Sequence, residues 1–462
     1  MRYLVYGVGI LVGAGGMWLL LHAGKAATLF LICLVATVAT VVQGSTNLAA
    51  SAIWTWVYYG ITGAATVAVG YDFLTRPSKT LLGHSWMVWS AAERANVLML
   101  VMLVLCSTMV SMIAARPAAG GALLVFNMFI ALSGSWTSTC RRKGGKLRLL
   151  QPLILVNAWM VVVLVGLWLS PLEGSTGDLL NSPAGTVAGF SVAVLGGALF
   201  FGGQRRQMRL AGFILGAIAF VELVIQASSA SSLIVGVLVS WAVCAMSSLA
   251  HSRAATWSTR GKRVLATVMT MIIVLTCVIP PITTYTLYSA WLNSGKTADA
   301  IAWALTETGE TEWNLFNRPA RWSVLLGRIA SHPVNLMLTN FEDSVYEEIP
   351  GVWQSAQPHN VLIAFGVWWG WLGLLVVVLS IWLFFRRAAT CVLLASAGDR
   401  VVALWSIGVT AGLLFRNMWS TGVLVFPLET LIFASGVCLI GMIDTRKGSS
   451  IDSMVEIHQS AV

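Results

Sequence analysis

Charge is what this chain has least of. Only 10% of its residues are Asp, Glu, Lys or Arg, while 57% are apolar. An ordinary soluble domain carries about 25% charge, so composition excludes a water-soluble fold. The apolar/polar alternation of a membrane β-barrel is missing as well. No Cys/His spacing suggests zinc or an iron–sulfur cluster, no Asp-x-Asp pair suggests a metal-dependent transferase, and no Gly-rich loop suggests a nucleotide. The net charge of +10 has no basic arm and no nucleic-acid motif to go with it. The seven cysteines, Cys33, Cys106, Cys140, Cys244, Cys277, Cys391 and Cys438, fall mostly within or beside apolar runs. They read as apolar fillers rather than a disulfide framework. A cleavable signal peptide is not expected, because the first apolar run is long, follows only Arg2 and leads directly into a second.

What is present is a succession of runs long enough to cross a hydrocarbon core of roughly 30 Å. With lipid as solvent the backbone must satisfy itself, so these runs are helices. They occupy residues 3–21, 26–43, 48–70, 96–114, 119–136, 149–170, 185–203, 210–227, 232–250, 264–284, 360–385, 401–415 and 422–442. The stretch 71–95 leaves room for an interfacial helix, with Trp86 and Trp89 at headgroup level. The fold expected is an all-α polytopic membrane protein of about 12–14 spans.

The basic residues mark orientation. Arg141, Arg142, Lys143, Lys146 and Arg148, then Arg205, Arg206 and Arg209, then Arg253, Arg260, Lys262 and Arg263, then Arg386 and Arg387 sit in short connections. By the positive-inside rule these are cytoplasmic. The segments 171–184, 228–231, 285–359 and 416–421 then fall outside. The chain divides into an N-terminal bundle (1–284), an external loop (285–359), a C-terminal set of helices (360–442) and a cytoplasmic tail (443–462).

The external loop concentrates acid. Asp299, Glu307, Glu310, Glu312, Glu342, Asp343, Glu347 and Glu348 are eight of the eighteen carboxylates. A loop of this length with periodic segments of its own is usually functional. Within it, NRPARWSVLLGRIASHP reads as a short amphipathic helix, capped by Asn317 and stopped by Pro333. Trp322, Leu325, Leu326 and Ile329 make its apolar stripe, and Arg318, Arg321 and Arg328 make a neighbouring cationic one. Guanidinium groups at a helix N-terminus suit phosphate oxygens, and suit lipid headgroups or loop acids equally well. Further on, His359 and Asn360 stand at the mouth of a helix containing Gly366, Gly370 and Gly373. A histidine there can serve as a general base near neutral pH, or simply as an interfacial cap.

The order of these features resembles the signature of the O-antigen ligase and polymerase family. The match consists of Arg318 with Trp322, then His332 and Pro333 followed by Phe341, then His359–Asn360 opening a helix with Gly370 and Gly373. It covers about residues 180–385. NSPAGTVAG opens one helix, and QASSASSL lies between two more and is similar to the family's Ser-rich turn. This chain departs from the pattern at three points. Asn317 stands where the family has glycine before the arginine, NLMLTNF replaces the glycines after His-Pro, and QASSASSL lacks the family's Arg or Lys. Arg416, in the next external loop, is a candidate to replace that charge.

The resemblance implies a fold similar to type C glycosyltransferases and a site at the outer face of a bacterial inner membrane. There the glycan of a polyprenyl-diphosphate carrier would pass to another carrier-linked unit (polymerase) or to lipid A core (ligase), without metal or other cofactor. It implies His359 and Arg318 as catalytic residues, with Arg321, Arg328, Trp322, His332, Asn360 and Arg416 binding substrate. Glu310, Glu342 and Asp343 are reserve bases. A chain-length regulator is a conceivable partner and nucleic acid is not. The polymerase is preferred, for O-antigen, capsule or exopolysaccharide. Three rivals come from outside that pair: a flippase or transporter, which would use ionisable residues inside helices such as Glu222 and Glu429; a peptidoglycan polymerase; and a non-enzymatic scaffold.

Overall fold

The computed structural model describes residues 25–43, 54, 57–58, 60–64, 71, 75, 89–113, 142–143, 146–147, 150–168, 183–225, 227–293, 322, 325–327, 329–331, 333, 360–394, 397–419 and 427–443. These are helical almost throughout. The helices are α1 (Lys25–Gln43), α2 (Ala91–Ile113), α3 (Leu150–Trp168), α4 (Pro183–Gly202), α5 (Arg206–Ile225), α6 (Ala227–Arg253), α7 (Thr259–Asn293), α8 (Val361–Leu394), α9 (Ala397–Asn417) and α10 (Pro427–Met442). One two-residue ribbon pairs Arg142 with Leu147 and Lys143 with Lys146 in a basic turn.

Local chemistry explains where several helices start. Ser90 and Glu93 form a reciprocal capping box: the Ser90 amide donates to Glu93 Oε2 (2.6 Å) and the Glu93 amide to Ser90 Oγ (3.3 Å). Ser258 Oγ accepts from the Gly261 amide at the start of α7. Proline occupies the first position of α4 and α10, where its missing N–H costs nothing. Pro280 and Pro281 lie inside α7. Neighbouring helices and side-chain hydroxyls let a membrane helix absorb such breaks.

Five of the described helices are long and apolar enough to cross a membrane: α4, α5, α6 over Ser232–Arg253, α7 over Thr259–Thr286, and α8. Their outer faces agree. Leu210, Phe213, Ile214, Ile218, Val221 and Ile225 of α5 are exposed, as are Val264, Val268, Met271, Ile272, Leu275, Ile279 and Ile282 of α7. Apolar stripes of this extent are not tolerated in water but suit lipid.

Small residues set the packing. A Cβ on Gly196 of α4 would overlap the Gly216 backbone of α5, and one on Gly412 of α9 would meet Ser240 Oγ and the Gly236 carbonyl of α6. Backbones therefore approach closely, as membrane helices do where glycine faces glycine. Ser240 Oγ donates to the Gly408 carbonyl (2.8 Å), and Trp241 Nε1 to the Ala193 carbonyl (2.9 Å). α9 is the central helix, buried from Val401 to Leu414.

Two ends of the bundle result. At one, Asn360 of α8 reaches Met418 after α9, and Thr40 of α1 reaches Leu428 of α10. At the other, Arg387 of α8 pairs with Glu93 of α2 (3.5 Å) and donates to the Ile440 and Ile443 carbonyls, capping the C-terminus of α10.

Several expected boundaries move. α8 runs through Arg386 and Arg387, which belong to its last turns and not to a loop. α2 starts at Ala91, inside the stretch expected as a connection. α6 starts at Ala227, so the Ser-rich stretch 228–231 is helical rather than a loop between helices. In each case charged or hydroxyl side chains ended the apolar run before the hydrogen-bonded helix itself ended.

Candidate functional site

The Asn360 end holds a buried polar cluster built from three helix termini. Asn360 caps α8, its Oδ1 accepting from the Leu362 amide (2.9 Å) and the Ile363 amide (3.1 Å). Its Nδ2 donates to the Met418 carbonyl (3.0 Å), locking the start of α8 to the end of α9. In the last turn of α9, Arg416 forms an ion pair with Glu429 in the first turn of α10. Asn417 Nδ2 donates to the other carboxylate oxygen, Glu429 Oε1 (2.7 Å), and to the Leu413 carbonyl (2.7 Å).

Glu429 is fully buried and Arg416 is 8% exposed. Removing both charges from water costs several kcal/mol per ion, and mutual attraction offsets this only in good geometry. Placement favours them further, because a carboxylate suits a helix N-terminus and a guanidinium a helix C-terminus. Arg416 Nε is buried and has no hydrogen-bond partner among the described residues.

A short helical segment lies over this cluster. Trp322, Leu325–Gly327 and Ile329–Ser331 are helical. Trp322, Leu325 and Ile329 are buried against Ile363 and Val367 of α8, with Tyr285 and Trp419 alongside. The Trp322 and Trp419 rings sit 5.8 Å apart. A Cβ on Gly366 would come within 2.6 Å of Ile329 Cδ1, so that glycine admits the segment. Leu326, expected on the same stripe, is 37% exposed and lies off the buried face.

α8 breaks beneath this contact. Gly370 has φ 74° and ψ −177°, a conformation closed to side-chain-bearing residues. The break releases the Leu372 amide, which donates to the Pro333 carbonyl (3.2 Å). The loop segment is thus tied to α8 by apolar contact above Gly370 and by a backbone hydrogen bond below it.

Three of the expected site residues, Trp322, Asn360 and Arg416, come together at this one end. Arg416 is in the last turn of α9 rather than in an external loop, and Glu429 already answers its charge. His359, Arg318, Arg321, Arg328 and His332 lie outside the described residues, as do Glu310, Glu342 and Asp343. Sequence reasoning missed Asn417 and the Arg416–Glu429 pairing. The signal was faint: FRN and PLET each put polar groups where apolar runs stop, but only the hairpin of α9 and α10 shows that they meet. Glu222, the other carboxylate noted within an apolar run, faces Gly189 of α4, where an added Cβ would come within 3.2 Å of its Oε2.

No family model, no curated protein and no solved structure matches this chain.

Proposed function

We propose that this chain is a membrane glycosyltransferase that polymerises polyprenyl-diphosphate-linked oligosaccharide units at the periplasmic face of a bacterial inner membrane. In this reading it has about 12–14 spans and a type C glycosyltransferase-like body beneath the 285–359 loop. The observation that carries the reading is the meeting of Trp322, Asn360 and the Arg416–Glu429 pair at one end of the bundle. The first two belong to separate parts of the motif order that resembles O-antigen polymerases and ligases.

The chemistry runs as follows. An acceptor hydroxyl attacks the anomeric carbon of the donor sugar, and the bond from that carbon to the diphosphate oxygen breaks. His359 takes the hydroxyl proton. The departing diphosphate carries its negative charge to fixed cations, Arg318 and Arg321, with Arg328 and Arg416 in support. The lipid tail stays in the bilayer while the head reaches the loop, so the loop works as a lid on the helices rather than as a separate domain.

His359→Ala and Arg318→Ala should each abolish glycan extension while the protein still inserts. Wild-type polymer length in either variant would overturn the assignment. Deleting the gene separates the two transfer activities. Loss of long chains with single units retained means polymerase, whereas loss of lipid A attachment with carrier-linked polymer accumulating means ligase.

A flippase or transporter is the second reading, favoured by the fully buried Glu429, because intramembrane carboxylates often mark ion or substrate paths. It predicts no glycan extension by the purified protein in detergent with no gradient present, where the transferase reading predicts extension.

A further inference from the structure

Residues 416–419, which finish α9 and step off it, hold three other parts of the molecule. Arg416 and Asn417 grip Glu429 at the start of α10. The Met418 carbonyl accepts from Asn360 at the start of α8 (3.0 Å). The Trp419 ring lies 5.8 Å from that of Trp322, in the segment docked on α8. Trp322 and Asn360 stand far apart in sequence, yet both bear on adjacent residues of this one turn.

The last turn of a helix leaves carbonyls without intrahelical donors, so its position depends on what else holds it. Within the turn, the Trp419 amide closes on the Arg416 carbonyl (2.9 Å), and the Met418 amide is shared between the Leu414 and Phe415 carbonyls. Asn417 ties the turn to the rest of the bundle. Its Nδ2 donates to the Leu413 carbonyl one turn back and to Glu429 Oε1, both at 2.7 Å. Asn417 is 1% exposed and Glu429 is fully buried, so water does not stand in for the second bond. A hydrogen bond to a carboxylate away from water is among the stronger ones. Met418 and Trp419 follow Asn417 directly in the chain, so what fixes Asn417 also fixes the groups that meet Asn360 and Trp322.

We propose that Asn417 is a positioning residue for glycan transfer, a role that rests on the glycosyltransferase reading. By fastening the last turn of α9 to Glu429, it sets Asn360 at the mouth of α8 and Trp322 in the docked segment relative to one another. It acts through Met418 and Trp419 rather than on the substrate. Without the Glu429 bond the turn shifts, and a misplacement of about 1 Å costs on the order of 100-fold in rate. The loss falls on kcat rather than KM, because the cations that would bind the diphosphate are all retained.

The test compares purified full-length wild type, Asn417→Ala, Asn360→Ala and the double variant in detergent, well below each thermal midpoint, with polyprenyl-diphosphate-linked repeat units as substrate. Asn417→Ala should lower kcat on the order of 10- to 100-fold with KM unchanged. The double variant should lose much less than the product of the two single losses, because both residues act on the same turn. Trypsin should also cut Asn417→Ala faster than wild type at Arg321 or Arg328, a readout that needs no glycan. Should Asn417→Ala fail to fold, Asn417→Ser carries the test, since its hydroxyl can return to the Leu413 carbonyl but is too short for Glu429. Wild-type kcat in the variant, whatever its midpoint, or single losses that multiply in full, would overturn the role. Folded wild type that does not elongate would overturn the transferase reading instead, and unchanged trypsin cleavage would then still show that Asn417 does not position the segment.

Discussion

Arg416 and Glu429 place two full charges among packed side chains, and their mutual contact, the Asn417 hydrogen bond and the two helix termini make this tolerable. Removing one partner leaves the other charge buried and unpaired, at a cost of about 3–5 kcal/mol. Arg416→Ala and Glu429→Ala should each lower the thermal midpoint of the purified protein sharply, whereas the double variant Arg416→Met with Glu429→Leu should recover most of the loss. Glycan extension distinguishes a structural pair from a working one. If Arg416 meets the diphosphate, the double variant stays inactive despite its restored midpoint. A stable double variant that elongates glycan normally would show the pair to be packing alone.

At the scale of the element, the informative piece is α8, broken at Gly370 and overlaid by the Trp322–Pro333 segment. Gly366 admits Ile329, and any larger residue there must displace it. Gly366→Val should therefore undock the segment. Trypsin cleavage at Arg321 or Arg328 should accelerate while the membrane helices remain protected, and an unchanged cleavage rate would count against the docking. Gly370→Ala forces a side chain into this positive-φ region at a cost of about 1–3 kcal/mol, lowering the midpoint with the helix content of circular dichroism retained.

The helices themselves were legible from apolar runs, and α3, α4 and α10 appear within a few residues of the expected places. The stripe Trp322, Leu325 and Ile329 was legible too, because three- and four-residue spacing survives in a short segment. Helix ends were less so. Arg386, Arg387 and Arg416 were read as loop residues because hydropathy falls before the backbone hydrogen bonds stop. The break at Gly370 was invisible, since a glycine in a membrane helix more often marks close packing than positive φ.

For the whole molecule, Arg387 and Arg253 among the described basic residues lie towards one end, and the capping Asn360 lies at the other. A protease site inserted between residues 300 and 310 should be cut from outside in spheroplasts, and one inserted in 254–258 should be cut only after lysis. The reverse pattern would turn the protein over and remove periplasmic glycan transfer. What joins the two ends into one account is the bilayer: apolar stripes on α5 and α7, a polar cluster with the docked Trp322–Ile329 contact at one end, and the Arg387–Glu93 pair at the other.

The most direct test of the central claim is glycan elongation by the purified protein in detergent, supplied with polyprenyl-diphosphate-linked repeat units and no ion gradient or nucleotide sugar. The account predicts a ladder of longer carrier-linked chains from the wild type and none from His359→Ala. No elongation by folded wild type, or an equal ladder from His359→Ala, would contradict it.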